Sequence, residues 1–491
     1  MGFGAEPHFR SAGGTFIPRV REGTAAGEGE EGEKMPHLHA KDMTQGDEAQ
    51  LILRFTLPLL AGNLLQQLYN IADTVIVGKA IGDDALAAVG ATGSVTFLFS
   101  TLCLGLSTGA GIMVSQFFGA GFLPRMRSAI WNSALVTLLF GIVITFAGVS
   151  LASPVQHLLH TPENLLPMSV SYMRIACGGT LAVAAYNWIN AVMRALGDSK
   201  TPLLFLGIAS ALNVALDLFF VMVLHTGVAG AALATVLSQL LSAVGCILYA
   251  FLRMPELRLH REDRRRDGAM MRLCIRTGLP IAAQSSMISI SMVALQWVTN
   301  GFGETVMTAY TASMRVEQFI QQPFASLGAA LSTFTGQNIG AAKTDRARRG
   351  LYAGLKISSL IALFMAAAFW LFGDVIIRCF ISGPESISLG YFALRTTSLF
   401  YIFLGFIYVT RGFLNGAGDT AYAMMNGIAE VVCRVGGALC MTRLLGMDCH
   451  AIWYTTGLTW LVTGSVGLLR YHGGAWTGKA IGTKEKARAS A

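Results

Sequence analysis

Charged residues are scarce in this chain. Only 13% of its 491 residues are Asp, Glu, Lys or Arg, against about 25% in an ordinary soluble domain. Hydrophobic residues make up 53% of the chain, so too few polar side chains remain to cover a soluble protein of this length. The composition therefore excludes a soluble globular enzyme and indicates a protein whose surface faces lipid.

Recognisable catalytic and nucleotide-binding motifs are also lacking. The 8 cysteines form no CxxC pair, so neither a redox pair nor a zinc site is expected. Gly473–Lys479 has the spacing of a phosphate-binding loop, but Ala480 replaces the Ser or Thr that would hold Mg²⁺. No strand precedes this segment, and no set of nucleophile, base and orienting residue stands out. We therefore expect no enzyme and no cofactor.

Long apolar stretches are what the chain does contain. From Leu51 onward they recur with about 20 or more residues each, enough for a helix to cross about 30 Å of hydrocarbon. Glycine, proline and charged residues separate them. Their twelve approximate ranges are 52–78, 86–118, 127–151, 165–196, 202–224, 228–252, 273–300, 306–338, 347–372, 388–416, 421–445 and 450–470. The sequence thus predicts an all-α integral membrane protein with twelve transmembrane helices.

The basic residues predict the orientation of these helices. They concentrate in the loops after even-numbered stretches, and the loops after odd-numbered stretches are nearly free of them. Because Lys and Arg in short loops stay on the cytoplasmic side, we expect a plasma-membrane protein with both termini in the cytoplasm. Residues 1–49 are rich in Gly and Glu and are predicted to be a disordered tail, and residues 472–491 a second tail.

The longest basic loop, 253–272, contains seven arginines. No aromatic residues are interleaved with them as a nucleic-acid site would require. We interpret this loop as a solvated cytoplasmic linker that contacts lipid headgroups, and we expect no nucleic-acid partner.

The two halves of the chain repeat at a nearly constant offset of 221 positions. The aligned segments include Gly82-Asp83 with Gly303-Glu304, Gln116 with Gln337, and Gly197-Asp198 with Gly418-Asp419. An even number of helices in each half makes the repeat parallel, with its axis along the membrane normal. The prediction is therefore two pseudo-symmetric six-helix lobes, 50–252 and 273–471, with a central cleft between them.

A polar stripe on the first predicted helix is the main candidate site. Asn63, Gln66, Asn70 and Asp73 are spaced 3, 4 and 3 residues apart, which places them on one helical face. Ionisable residues inside a membrane are costly and are functional candidates by default.

Further polar residues on the fifth and sixth helices complete this site. They include Asn213, Asp217 and Thr235. Two carboxylates with amide and hydroxyl oxygens nearby suit reversible capture of Na⁺, and a carboxylate pair in low dielectric can also take up a proton at near-neutral pH. The alternative is that Asp73 and Asp217 only hydrogen-bond to neighbouring helices.

The second half is not a copy of this pattern. The first helix of the second half has polar residues such as Gln296 in place of the acid found in the first half. Its second helix carries Glu317. Glu317 is either the counter-ion of a cationic substrate or the partner of Arg315. Glu430 and Arg434 are four residues apart on one helix, a spacing that favours an ion pair.

Seven segments spread over both halves carry a family resemblance. They are Leu57-Pro58, Gln66-Gln-Leu-Tyr-Asn-Ile-Ala-Asp73, Ala85-Leu-Ala-Ala-Val-Gly90, Gln116-Phe-Phe-Gly119, Leu196-Gly-Asp198, Gly336-Gln-Asn-Ile-Gly-Ala341 and Gly416-Ala-Gly-Asp419. With them the chain, from about Lys41 to the twelfth helix, resembles the multidrug and toxic compound extrusion (MATE) transporters of the flippase-related superfamily. It is most similar to bacterial members in which the Asp of the first helix is the principal coupling acid.

The resemblance implies a site as well as a fold. The family's amino-lobe cation site corresponds to Asp73, Asn213, Asp217 and Thr235. Other matching positions are Pro58, where the family's first helix bends, and the substrate-cleft residues Tyr69 and Asn190. We add Gln66, Asn70, Gln296 and Glu317 to the expected substrate cleft. One branch of the family has a second site built from acids of the seventh and tenth helices, but 273–300 and 388–416 contain none.

The function that the resemblance implies is secondary antiport. A monomer would export small amphipathic organic compounds in exchange for H⁺ or Na⁺ by rocking its two lobes. The alternative within transport is a lipid-linked precursor flippase, which would be expected to have a more cationic cleft. A membrane-embedded enzyme or receptor is a further alternative, but it would need a catalytic constellation or a sizeable extramembrane domain.

Overall fold

The computed structural model of the chain describes residues 41–159 and 161–481. In these residues the secondary structure is helical throughout, and the helices form two lobes. Residues 1–40 of the first predicted tail and 482–491 of the second lie outside the described residues.

The amino lobe contains six crossings of the predicted membrane. Its helices are α1 (Glu48–Ala80), α2 (Asp83–Gly119), α3 (Leu123–Leu158), α4 (Leu166–Gly178), α5 (Thr180–Ala195), α6 (Lys200–Asp217) and α7 (Gly227–Arg253). The pair α4 and α5 forms one crossing, bent by 41°. A π-helical segment, Leu218–Val223, extends α6.

The carboxy lobe has the same plan. Its helices are α8 (Gly268–Asn300), α9 (Glu304–Gly340), α10 (Thr344–Arg378), α11 (Pro384–Ser398), α12 (Tyr401–Gly416), α13 (Ala421–Val431), α14 (Gly437–Leu439) and α15 (Ala451–His472). Here α11 and α12 form the bent crossing, at 53°. Two π-helical segments, Val432–Gly436 and Cys440–Leu444, join α13 and α14 into one long crossing.

The predicted repeat is visible in the helices and in the turns. Helices α1 and α8 both have 33 residues, and α2 and α9 both have 37. The turns before α2 and α9 use Gly82 and Gly303 at φ values of 115° and 93°, a region that favours glycine. These matches confirm the prediction of twelve helices in two related lobes.

Two of the twelve crossings are more polar than the rest. Eight helices, and the two bent pairs as further crossings, are long and apolar enough to span a membrane by length and composition. The remaining two are α9 and α15, which are rich in buried residues. A helix surrounded by protein need not be apolar on every side, because other helices satisfy its polar groups.

The outer surface of the bundle is apolar. Phe146 on α3 is 75% exposed, and Phe364 and Leu371 on α10 are 76% and 74% exposed. Side chains of this kind are stable on a surface only when they contact another apolar phase. The exposed belt therefore supports the assignment to a lipid bilayer.

One end of the bundle carries the basic loops. Helices α2, α5, α7, α9 and α12 end there, and the residues that follow, up to the first turn of the next helix, include Arg125, Lys200 and Lys343. We call this end the basic face and the other end the opposite face.

Parts of the predicted tails and linker pack against the lobes. Met43 is 1% exposed, and the nitrogen of Lys41 donates to the carbonyl of Leu196 over 2.9 Å. Trp476 is 2% exposed and stacks on Tyr471. Residues 41–49 and 472–481 therefore belong to the folded unit, although the sequence placed them in tails, because isolated buried residues in a polar segment give no periodic signal.

The linker is folded as well. The amide of Asn132 on α3 accepts from the backbone nitrogen of Asp267 over 2.9 Å and donates to the carbonyl of Arg265 over 3.2 Å. Asp267 then caps α8, which begins at Gly268 rather than at the predicted 273.

Candidate functional site

Two carboxyl groups from different helices face each other in the amino lobe. Asp73 lies on α1 in the half nearest the opposite face, and Asp217 ends α6. Their side chains are close enough for the two carboxyl groups to interact with each other. Asp217 is fully buried and Asp73 partly buried. Atom Oδ1 of each has no hydrogen-bond partner within residues 41–159 and 161–481, so the pair offers two oxygens to a shared proton or cation.

Asn213 and Thr235 hold Asp217 in place. With the amide nitrogen of Asn213 turned toward Asp217, it donates to Oδ2 over 2.8 Å. The amide oxygen then accepts from the hydroxyl of Thr235 over 3.3 Å and from its backbone nitrogen over 3.2 Å. The structure thus brings together the four residues predicted for the cation site.

A change in helix geometry follows directly after Asp217. The next six residues, Leu218–Val223, form a π-helical segment. Such segments are rare inside α-helices and are frequent at functional sites. Nothing in the pattern of residues predicts this segment.

A large cavity opens beside the carboxyl pair. Its volume is about 680 Å³, and Gln66, Tyr69, Asn70 and Asp73 line it from α1. Helices α2, α4, α5 and α7 supply the other walls. This is the size of a site for a drug-sized molecule. Asn213 and Asp217 are not among the lining residues, and Asp73 therefore lies between the cavity and the buried part of the cluster.

The other predicted cleft residues lie apart from this cavity. Asn190 on α5 is buried, and its Oδ1 is 4.0 Å from the sulfur of Cys246. Gln296 donates to Asn300 over 2.9 Å near the opposite face of α8. Pro58 lies inside α1, which continues through it as one helix.

The carboxy lobe has an internal ion pair at the equivalent place. Arg434 lies 221 positions after Asn213 and donates to Glu430 over 2.8 Å, which confirms the predicted pair. Both residues are buried, and so is Glu317 on α9, which interacts electrostatically with Arg434. Glu317 therefore interacts with Arg434, whereas Arg315 points in a different direction because side chains two residues apart on a helix do not face each other. In this lobe the carboxyl groups of Glu430 and Glu317 both interact with a cation of the protein itself, the guanidinium group of Arg434.

A pair of glutamines joins the lobes at the basic face. Gln116 on α2 donates to the carbonyl of Gly416 in the carboxy lobe over 2.8 Å. Gln337 on α9 donates to the carbonyl of Ala195 in the amino lobe over 2.9 Å. Both the donors and the acceptors are related by the 221-residue offset. We call Gln116, Gln337 and their two acceptors the glutamine gate.

Segments from both ends of the described chain complete the glutamine gate. The Oε1 atom of Gln337 accepts from the nitrogen of Met43 over 2.8 Å, and that of Gln116 accepts from the nitrogen of Ile481 over 2.7 Å. Each glutamine therefore ties a lobe to the other lobe and to a terminal segment.

Glycines allow this close approach of the lobes. A Cβ atom at Gly119 would overlap the carbonyl of Gln337, and one at Gly340 would overlap the carbonyl of Gln116. The α2 and α9 backbones are thus in direct contact at the basic face, which is closed in this structure.

One cluster outside this site has metal-ligating side chains. Asp448, Cys449 and His450 bring three ligand atoms within 4.8 Å of one another in the loop before α15. The Nδ1 atom of His450 already pairs with Asp448 over 2.8 Å, and this hydrogen bond lowers the pKa of the Asp448 carboxyl group. Asp448 is exposed and Cys449 and His450 are partly buried, and the contact of His450 with Asp448 stabilises the loop before α15 without a metal ion.

Two pseudo-symmetric six-helix lobes, polar cavities within the membrane region and a closed contact at one face define a multi-pass membrane transporter. The sequence model of the MatE family matches residues 58–219 and 280–439. The chain therefore belongs to the MatE family, and it is not an enzyme.

Similar curated proteins cover nearly the whole chain. The "Probable multidrug resistance protein YpnP" of Bacillus subtilis (strain 168) is 31% identical over 452 residues, which are 91% of this chain and 100% of the relative. The "Probable multidrug resistance protein NorM" of Thermotoga maritima is 23% identical over 445 residues, 89% of this chain and 95% of the relative.

Solved structures show the same fold. A MOP superfamily transporter from Pyrococcus furiosus superposes with a TM-score of 0.84 at 24% identity, over 90% of this chain and 99% of that one. A structure described as MATE in the straight conformation gives 0.84 at 24% identity, over 89% and 99%.

Proposed function

We propose that the protein is a secondary antiporter that exports amphipathic organic compounds from the cell. It exchanges them for a cation bound at Asp73 and Asp217, and it works as a monomer in the plasma membrane with both termini in the cytoplasm. The names of the related multidrug resistance proteins support the substrate class. The observation that carries the proposal is the facing carboxyl pair at the wall of the 680 Å³ cavity.

The contacts of the pair favour a proton as the coupling ion. Asn213 already bonds to both Thr235 and Asp217, and the Oδ1 atoms of Asp73 and Asp217 are buried without a partner in the described chain. A bound Na⁺ would need further oxygen ligands, since hard cations take several at once. A proton needs one donor oxygen and one acceptor, which the pair provides.

Asn213 can accommodate both protonation states of Asp217. When Asp217 is a carboxylate, the amide nitrogen donates to Oδ2 over 2.8 Å. When Asp217 is a carboxylic acid, the amide turns by half a rotation and its oxygen accepts from the acid over the same separation. Proton uptake by Asp217 therefore changes which side of the Asn213 amide faces Thr235. Because Asn213 lies on α6 and Thr235 on α7, protonation changes the hydrogen bond between these two helices.

Alternating access would follow from opening and closing the glutamine gate. A bound ion or substrate changes the balance between two conformations only when it binds one of them more tightly. Proton binding at Asp73 and Asp217 alters the packing of α1, whose basic-face half contacts the carboxy lobe through the 2.9 Å bond from Asn63 to Ser326. The first helix is thus the element through which the site acts on the lobe contact.

The test is transport by the purified protein in liposomes. With ethidium outside, an acidic interior should drive dye uptake by molecules whose basic face points outward, whereas a Na⁺ gradient at equal pH should not. Asp73→Asn and Asp217→Asn should abolish this uptake. Unimpaired uptake in either variant would refute the coupling role, and uptake driven by Na⁺ alone would refute the choice of the proton.

A matched control comes from α10. Asp374 is an acid that forms an exposed ion pair with Arg378 far from the cavity. Because exposed pairs contribute little, Asp374→Asn should keep both the fold and the transport.

A flippase for lipid-linked precursors is less well supported. Such a protein must bind a pyrophosphate, which calls for cationic side chains. Among the residues that line the 680 Å³ cavity, Asp73 is the one Asp, Glu, Lys or Arg.

A further inference from the structure

A second, smaller cavity lies between the two lobes, next to the glutamine gate and on its side toward the opposite face. Its volume is about 230 Å³, and α2, α5 and α9 line it. Leu104 on α2 borders both this cavity and the 680 Å³ cavity, so the two adjoin along α2. The smaller one lies nearer the basic face, since it reaches Ser115 and Ala195, next to the gate.

Arg194 brings a positive charge to this cavity. It lies in the last turn of α5, lines the cavity, and is partly buried. Across residues 41–159 and 161–481 its guanidinium group forms neither a hydrogen bond within 3.5 Å nor an ion pair within 4.0 Å. A guanidinium withdrawn from bulk water without an anion is costly. The site is therefore poised for an anionic ligand, for which the group offers five donors.

The facing lobe contributes further hydrogen-bond donors. Ser332 and Thr333 of α9 line the same cavity, and their hydroxyl groups have no partner in the described part of the chain. The hydroxyl groups on the α2 wall are already engaged, since Thr108 donates to Leu104 over 2.8 Å and Ser115 to Ile112 over 2.9 Å. An anion bound to Arg194 would thus be held from both lobes.

The repeat shows that the fold itself does not require this charge. The position equivalent to Arg194 in the carboxy lobe is Asn415, also in the last turn before the helix ends. The carboxy lobe instead has Arg411, at the position equivalent to Asn190. Arg411 is engaged within its own lobe, with a bond of 3.4 Å to Asn426 and a stacking contact of 5.3 Å with Tyr408.

We propose that Arg194, Ser332 and Thr333 form an anion subsite that binds the carboxylate or other acidic group of an exported compound. This inference rests on the proposed export function and adds to it that, among the exported amphipathic compounds, those that carry an acid, zwitterions included, are bound more tightly. The 230 Å³ cavity is below the usual size of a site for a whole drug-like molecule, about 300–1,000 Å³. It therefore takes the acidic end, and the 680 Å³ cavity beyond Leu104 takes the apolar body.

The test compares two dyes that differ in one acid group. Rhodamine B carries a free carboxylate, and its ethyl ester keeps the same cationic ring system without it. Their affinities for the full-length protein in lipid nanodiscs are measured by fluorescence anisotropy, with no ion gradient. Arg194→Gln should weaken rhodamine B binding by about 10- to 100-fold, because a charge-assisted bidentate contact is lost, and should leave the ester unchanged.

Two further variants separate charge from structure. Arg194→Lys should retain part of the affinity for rhodamine B, since lysine keeps the positive charge but cannot form the two parallel hydrogen bonds that a guanidinium group forms with a carboxylate. Arg174→Gln, which changes an exposed arginine in the same bent crossing, should leave both affinities unchanged. If Arg194→Gln does not fold, the double variant Ser332→Ala with Thr333→Val makes the same comparison from the facing lobe.

The outcomes are decisive in either direction. An equal loss of affinity for both dyes, or no loss for rhodamine B, overturns the anion subsite. Failure of the proposed export function has a different signature, because the dyes would then bind as expected here while neither would be transported under a pH or Na⁺ gradient.

Discussion

Replacing either glutamine of the gate with alanine should open the basic face of the protein. Gln337 forms one bond of 2.9 Å to the other lobe and one of 2.8 Å to Met43, and Gln116 forms equivalent bonds of 2.8 Å and 2.7 Å. All four bonds are buried. A typical intramolecular hydrogen bond contributes about 0.5–1.5 kcal/mol net, so each glutamine stabilises the closed contact by about 1–3 kcal/mol. This corresponds to a shift of about 5- to 150-fold in the ratio of open to closed molecules.

The assay is the labelling rate of a cysteine inside the inter-lobe cavity. Ala329 lines that cavity on α9, and an Ala329→Cys reporter can be reached from the basic face only when the lobes part there. A membrane-impermeant maleimide is added to vesicles whose basic face points outward. Gln116→Ala and Gln337→Ala should each raise the labelling rate by about 5- to 150-fold. The two increases should be similar because the gate is pseudo-symmetric.

The control is another glutamine of the same helix. Gln322 on α9 donates to the carbonyl of Gln318 within its own helix, over 2.8 Å. Gln322→Ala should therefore not change the labelling rate. Equal rates in all three glutamine variants would refute the view that the gate holds the lobes together.

Three other predictions follow from the packing. Gly340→Ala places a methyl group against the carbonyl of Gln116, and it should raise the maleimide labelling rate as the glutamine variants do; an unchanged rate would contradict the tight contact. Glu430→Gln removes the carboxylate that is hydrogen-bonded to the buried Arg434 guanidinium and should lower the free energy of unfolding by about 3–5 kcal/mol, seen as a lower Tm in detergent. Adding Arg434→Met should restore most of the loss, and a single variant that melts like the parent would show that the pair is not needed. Trp476→Ala should cost about 3–5 kcal/mol of local packing and speed limited proteolysis between residues 472 and 481, whereas unchanged cleavage would argue against that packing.

The sequence predicted the architecture well because the membrane restricts what can cross it. Twelve long apolar stretches and an offset of 221 positions were enough to predict two six-helix lobes. For α9 the predicted range 306–338 lies within the observed Glu304–Gly340. The carboxyl pair was predicted from the spacing along α1 together with the acid on α6, since a polar stripe in a membrane helix must face protein or water.

The contacts between distant segments could not be predicted in this way. Gln116 and Gln337 were visible as equivalent positions, but their acceptors are backbone carbonyls that lie 300 and 142 positions away in the chain. Every residue has a backbone carbonyl, so the sequence does not show which carbonyl accepts a given hydrogen bond. Met43 and Trp476 are isolated buried residues in polar segments, which gives no periodic pattern. Arg434, which interacts electrostatically with Glu317, lies 117 positions further along the chain, so spacing on one helix does not point to it.

The bonds from Met43 and Ile481 to the glutamine gate have a practical meaning for anyone who purifies this protein. An affinity tag or fluorescent fusion joined close to either position would strain a contact that, in the proposed alternating access, breaks and reforms in every transport cycle. Truncations that remove either position would delete part of the gate and could be mistaken for transport mutants. Fusions are better placed in the loop near Pro384 at the opposite face, because an insertion there leaves the contacts of Met43 and Ile481 with the glutamine gate unchanged.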